Sequence, residues 1–253
     1  MLITKRNCFS IRKSKLIKCP LILLFINLLA TISFSNQISA SGLQVTPVTL
    51  TFTAQQKAAG IWLSNNGKDL IQVQVRTFIW QQKNLGNQLT PTRDIMISPP
   101  MIKLLPNEQQ LIRVIRNNNL LGNQEQAYRL SINEIPLPQK NSSHLRLVLH
   151  YSLPIFIQPL NMPPPSTLLE WQIKKFQSQS YLVVHNRGNT HAQLSDIRLI
   201  NCKGKTTVIN SGLLGYVLPQ STMQWNIKLT DLCSAPNNQI KVMINGERQS
   251  YPL

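Results

Sequence analysis

The chain has 253 residues, 42% of them hydrophobic and 14% charged, with 26 Lys and Arg against 9 Asp and Glu. That apolar content excludes a disordered polyelectrolyte. The basic residues are scattered rather than clustered among aromatics, which argues against a nucleic-acid surface and for a solvated basic surface suited to acidic protein partners.

The N-terminus reads separately from the rest. Lys5, Arg6, Arg12, Lys13, Lys15 and Lys18 form a basic lead, an apolar run follows from Pro20 to Phe34, and small polar residues follow that. This order is the layout of a secretory signal peptide. The apolar run has 15 residues and contains Asn27, short of the roughly 20 that a spanning helix needs. Residues 1–41 are therefore expected to be a cleaved leader, cut after Ala40 or Ser41, with no stable membrane insertion afterwards. Its removal leaves 20 basic and 9 acidic residues, a net charge of +11. Cys8 and Cys19 leave with it, so Cys202 and Cys233 remain, and export to an oxidising compartment predicts one disulfide between them. A zinc site from His185, His191, Cys202 and Cys233 lacks the close ligand spacing of structural zinc motifs.

The mature chain reads as a succession of short β-segments. "LQVTPVTLTF" alternates from Leu43 to Phe52, with Pro47 marking an edge or a bulge. "AGIWLS" precedes a turn cluster at Asn65 to Asp69, and Leu70 to Trp80 sets Ile71, Val73 and Val75 on one face. Two short segments follow, broken at Pro99–Pro100 and at Pro106–Asn107, and then "QLIRVIR" and "AYRLSINEIP". The last segment before a proline-rich connector is "LRLVLHYSLPIFIQP", residues 145 to 159. In it Leu145, Leu147, Leu149, Tyr151, Leu153, Ile155 and Ile157 share one phase. Such alternation by itself predicts a strand facing its own core.

"PLNMPPPS" contains Pro159, Pro163, Pro164 and Pro165, a stiff connector that cannot lie inside a sheet. It divides the chain into residues 42–160 and 161–253. Beyond it, "LEWQIKKF", "SYLVVHNRG", "AQLSDIRLI", "TTVIN", "TMQWNIKL" and "QIKVMINGE" read as strands. No helix longer than a turn or two is expected. The fold class is all-β, two immunoglobulin-like sandwiches.

Four segments, "LSNNGKDLIQVQV", "MISPPMIKLLPNEQQLIRVIR", "YRLSINEIP" and "LRLVLHYSLPIFIQP", together and in this order resemble the periplasmic chaperones of the chaperone–usher pilus pathway. "YSLPIFI" is most similar to the archaic branch, the one linked to spore-coat-type pili. The resemblance implies a boomerang of two sandwiches and a role in holding pilus subunits for an outer-membrane usher. It also implies that the last strand of the first sandwich is lent to a pilin that lacks one of its own, a form of β-augmentation. The residues that map onto subunit binding are Leu145, Leu147 and Leu149, with Tyr151 beyond them.

Two departures stand out. Better-known members anchor the subunit's terminal carboxylate with an Arg and a Lys; the corresponding positions here are Pro47 and Pro154, which carry no charge and donate no backbone hydrogen bond. Arg129 is then the first candidate anchor, by strand parity, followed by Arg113 and Arg116. Gln158 stands where many members have an Arg that helps to fix the interdomain angle, while Glu134 of that interdomain set is retained.

No cofactor or metal is expected, nor catalysis. The four histidines lack an acidic neighbour in sequence, and no phosphate loop, HExxH or GxSxG is present. Pilus subunits and the usher are the expected partners, nucleic acid is not, and self-association is an option for the free protein because exposed strand edges invite pairing. The alternative reading is a structural pilus subunit or adhesin, for which an alternating N-terminal run such as Leu43 to Phe52 would be a donor extension.

Overall fold

In the computed structural model, residues 42–117, 122–137, 147–228 and 238–253 are described. The expected leader, Leu145 and Cys233 lie outside the described residues. Described residues are strands and turns, with no helix among them. Strands β1 (Leu43–Thr46), β2 (Leu50–Phe52), β3 (Ala58–Asn65), β4 (Ile71–Lys83), β5 (Gly86–Pro91), β6 (Ile95–Ser98), β7 (Met101–Leu104), β8 (Gln109–Arg116), β9 (Gln126–Ile135) and β10 (His150–Ile157) build the first sandwich. Strands β11 (Leu169–Phe176), β12 (Gln179–Asn186), β13 (Ala192–Ile200), β14 (Thr206–Val217), β15 (Ser221–Ile227), β16 (Gln239–Ile244) and β17 (Glu247–Pro252) build the second.

In the first sandwich, one sheet runs β1-β3-β8-β6 and the other β2-β10-β9-β4-β5, with β7 also paired to β4. Alternate residues of both sheets fill one core: Leu63, Val73, Ile112, Leu130, Ile132 and Ile155 are all fully buried in it. Burying each such side chain is worth about 1.5–3 kcal/mol, and the period-two pattern delivers them all to the same side. The alternating run from Leu43 to Phe52 changes sheets at Pro47. Its first half pairs with β3 and its second half lies parallel to β10. The second sandwich stacks β11-β12-β15 on β14-β13-β16-β17 over its own core of Leu182, Val184, Leu194, Ile197, Val242 and Ile244.

The two sandwiches share a corner. Asn65 is fully buried at the end of β3; its Nδ2 donates to Asp69 O (2.8 Å) and Leu104 O (3.1 Å), and its Oδ1 accepts from Gly67 N (2.9 Å). Asn186, at the end of β12, repeats this with Thr190 O (2.8 Å), Val217 O (3.1 Å) and Gly188 N (2.9 Å). Each corner braces a turn: Leu105-Pro106-Asn107-Glu108 in the first sandwich and Leu218-Pro219-Gln220-Ser221 in the second. Both turns close by an N–H to C=O bond, with the third residue at positive φ. At the second corner only glycine fits, since a Cβ on Gly188 would stand 2.2 Å from Ser166 O. One buried amide thus ties three strand ends together, because orphaning such groups costs about 1–3 kcal/mol each.

Candidate functional site

The site is built around β10. Along one edge β10 pairs antiparallel with β9 over its whole length, His150 opposite Asn133 through Ile157 opposite Gln126. Along the other edge, β2 covers only Ile155 to Ile157. Among the described residues, His150 to Pro154 therefore have an unpaired edge, the situation that sheet proteins normally cover.

Side chains on β10 and on the residues just before it divide sharply along the chain. Leu153, Ile155 and Ile157 are buried in the first sandwich's core. Tyr151 and Leu149, in the same phase, are half-buried at the margin of that core, and the Tyr151 hydroxyl donates to Leu43 O at 2.8 Å. Leu147, the next in phase, is 57% exposed, and Val148 beside it is exposed too. The apolar stripe thus runs out of the core and is uncovered at Leu147, the first described residue in this phase.

Glu134 fixes the point where the strand leaves. It is buried on β9, its backbone N–H donates to Leu149 O (3.0 Å), and its Oε2 accepts from Leu149 N (3.3 Å). The structure thus places Glu134 against the strand of its own sandwich.

The three candidate cations do not converge. Arg129 lies on β9 directly opposite Pro154. Its guanidinium rests 3.7 Å from the Trp80 ring centroid and 5.4 Å from that of Tyr216, and Nη1 donates to Ser152 O at 3.1 Å. Burial holds its pKa below the ordinary arginine value, partly offset by Tyr216; no carboxylate pairs with it among the described residues. Arg113 and Arg116 lie on β8, in the opposite sheet, Arg113 exposed and Arg116 donating to Ala54 O at 3.0 Å.

A second cluster joins β10 to the second sandwich, and sequence reasoning did not find it. Phe156 faces away from the core and packs with Trp80, Ala127, Leu218 and Tyr216. His191 stacks flat on Phe156, with centroids 3.5 Å apart and rings 2° from parallel. Gln82 reaches across, its Nε2 donating to Tyr216 O and its Oε1 accepting from Leu218 N, both at 2.8 Å. His191 does have an acidic partner, Glu125, but 66 residues away in sequence. His185 pairs with Thr222 Oγ1 at 2.8 Å. The N-terminal run proposed for a donor extension is occupied within the protein's own sheets, as β1 and β2.

Comparison with known proteins agrees with this arrangement. Residues 42–163 match the family described as pili and flagellar-assembly chaperone, PapD N-terminal domain. Chaperone protein FanE of Escherichia coli is 26% identical over 116 residues, 45% of this chain and 50% of that protein. Chaperone protein LpfB of Salmonella typhimurium is 24% identical over 155 residues, 59% of this chain and 61% of that one. The matched stretches thus span between half and about three-fifths of these curated relatives. Among solved structures, the chaperone CsuC of the archaic chaperone–usher Csu pili of Acinetobacter baumannii, in its pre-assembly complex with the tip adhesion subunit CsuE, superposes with a TM-score of 0.66. The two are 25% identical, over 83% of this chain and 97% of that one.

Proposed function

We propose, from the match of residues 42–163 to the PapD N-terminal domain family of pili and flagellar-assembly chaperones, that the protein is a periplasmic chaperone that folds pilus subunits by donor-strand complementation. One observation carries this reading: β10 has an unpaired edge from His150 to Pro154 and an apolar stripe that leaves the core and is exposed at Leu147. A subunit lacking a strand would pair with that edge and receive Leu145, Leu147 and Leu149 in its open groove, with Tyr151 at the boundary. Bound this way the subunit is shielded from premature assembly until an outer-membrane usher accepts it. The role is binding rather than catalysis.

Arg129 is the cation this reading assigns to the subunit's terminal carboxylate. It is a desolvated cation beside the strand with no ion-pair partner among the described residues, and Arg113 and Arg116 stand in the other sheet. The leader at residues 1–41, the division at 160, and the Cys202–Cys233 bridge belong to the same reading. The bonded state of the Cys202 sulfur supports the last of these, and non-reducing peptide mapping of the exported protein tests both the bridge and the cleavage site.

The test is co-expression with a candidate pilin and recovery of the complex, repeated with Leu147→Arg and with Arg129→Ala. Loss of subunit with Leu147→Arg is expected, since a charge would have to enter an apolar groove; undiminished capture refutes the insertion. A normal subunit yield with Arg129→Ala removes Arg129 from the anchor.

A further inference from the structure

Glu125 is an acid with little access to water: its side chain is 3% exposed. Its Oε1 accepts from the His191 backbone N–H at 3.0 Å and stands 2.6 Å from His191 Nδ1, and its own N–H donates to Asn189 O at 2.9 Å. A buried carboxylate is stable only when its oxygens are satisfied, and here the satisfying groups come from the other sandwich. The imidazole that meets it is in turn sandwiched against Phe156, a residue of β10 on the face opposite the Leu153/Ile155/Ile157 core side. Gln158, meanwhile, gives its backbone N–H to Phe52 O, within the first sandwich.

We propose that Glu125, His191 and Phe156 form the latch that sets the angle between the two sandwiches, and so how the second sandwich stands relative to β10. Three features make it a latch rather than a casual contact. Two hydrogen bonds converge on one carboxylate oxygen, which fixes the height of the β12–β13 turn relative to β9. The ring stack, parallel within 2°, fixes rotation. The third feature is the bond pair from Gln82 to Tyr216 O and Leu218 N, which ties β4 to the second sandwich within the same interface. Because Phe156 belongs to β10, the strand offered to a client and the strand that seats the second sandwich are the same. These are positioning residues, and only their consequence for client capture rests on the function proposed above.

The latch is tested on the free mature protein by small-angle X-ray scattering, so that no client is involved. His191→Ala removes the stack and one bond, leaving the buried carboxylate under-satisfied, and is expected to broaden the distance distribution and lengthen its maximum dimension. Glu125→Gln retains an oxygen acceptor for both bonds and is expected to scatter like the wild type. His191→Phe keeps the stack but loses the side-chain bond and falls between the two. Should His191→Ala fail to fold, Glu125→Leu gives the same reading. Scattering by His191→Ala or Glu125→Leu that superimposes on the wild type, with only a lowered melting temperature, overturns the latch. Client capture separates the two claims: Leu147→Arg should abolish capture with unchanged scattering, whereas His191→Ala should weaken capture by roughly 5- to 150-fold, the usual range for coupled sites, with altered scattering.

Discussion

Leu147 and Leu149 stand two residues apart just before β10, and their environments predict opposite consequences for truncation. Full burial of a leucine side chain is worth about 1.5–3 kcal/mol. Leu147 is 57% exposed in the free protein, so a client that covers it gains about 1–2 kcal/mol of that burial. Leu147→Ala should therefore leave the free energy of urea unfolding of the free protein within about 0.5 kcal/mol of wild type. It should speed client dissociation by roughly 5- to 30-fold, at 1.4 kcal/mol per factor of ten. Leu149 already packs against the first sandwich's own core, so Leu149→Ala should cost about 1–2 kcal/mol of stability before any client is present. The assay is the dissociation rate of a purified complex chased with excess unlabelled wild-type protein, alongside urea denaturation of each free variant. If Leu147→Ala releases its client no faster than wild type, or destabilises the free protein as much as Leu149→Ala does, the inference that the stripe passes from core to client at this point is wrong.

Two further outcomes follow from the fold. Asn65→Ala and Asn186→Ala each leave one N–H and two carbonyls without their partner, all buried at the Asn186 corner and half-buried at the Asn65 corner for Gly67 N and Asp69 O; each should cost about 1–4 kcal/mol in chemical denaturation, Asn186→Ala the more, with hydrogen exchange rising mainly in the sandwich that carries the change. The Tyr128 hydroxyl is pushed well above its ordinary pKa, first by burial and then by the nearby Asp94 carboxylate. The native state therefore holds this proton more tightly than the unfolded chain, whose tyrosine titrates near about 10. Stability from this group is complete below that pH and falls as the pH rises above it; thermal melts between pH 9 and 11 should show that slope, and Tyr128→Phe should flatten it.

The sequence was most legible where one face of a strand is buried. Alternation in β4, β9 and β10 located the core of the first sandwich, because the side that must be dry is written every second residue. Hairpins were harder. The β4–β5 turn places Asn84 and Leu85 at φ 53° and 61°, a geometry in which leucine is not an expected turn residue, so β5 went unread. The Asn245–Gly246 turn before β17 does carry a recognisable pair, yet the strand after it, "ERQSYP", has little apolar alternation to mark it. The corner shared by the two sandwiches was also visible, as Asn-x-Gly followed by Leu-Pro-Asn or Leu-Pro-Gln, but only comparison of the two halves brings it out. Copies of the same turn serve different ends: Leu105 is 61% exposed, whereas its counterpart Leu218 is buried against Trp80 and Phe156. The latch was beyond reach because Glu125 and His191 become neighbours only once both sandwiches have folded. Among the cations, strand parity sets Arg129 apart from the Tyr128/Leu130/Ile132 face, but it carries no information on which sheet a strand joins, so it could not show that Arg113 and Arg116 stand in the other sheet.

The central claim is that the uncovered edge of β10 is where a client strand pairs. Hydrogen–deuterium exchange on the protein, free and in a purified complex with a candidate pilin, tests this most directly. Peptides covering residues 147–153 should be weakly protected in the free protein and become strongly protected in the complex, while those covering 155–157, already paired on both sides, should change little. Unchanged exchange at 147–153 in a complex of demonstrated stoichiometry would contradict the account.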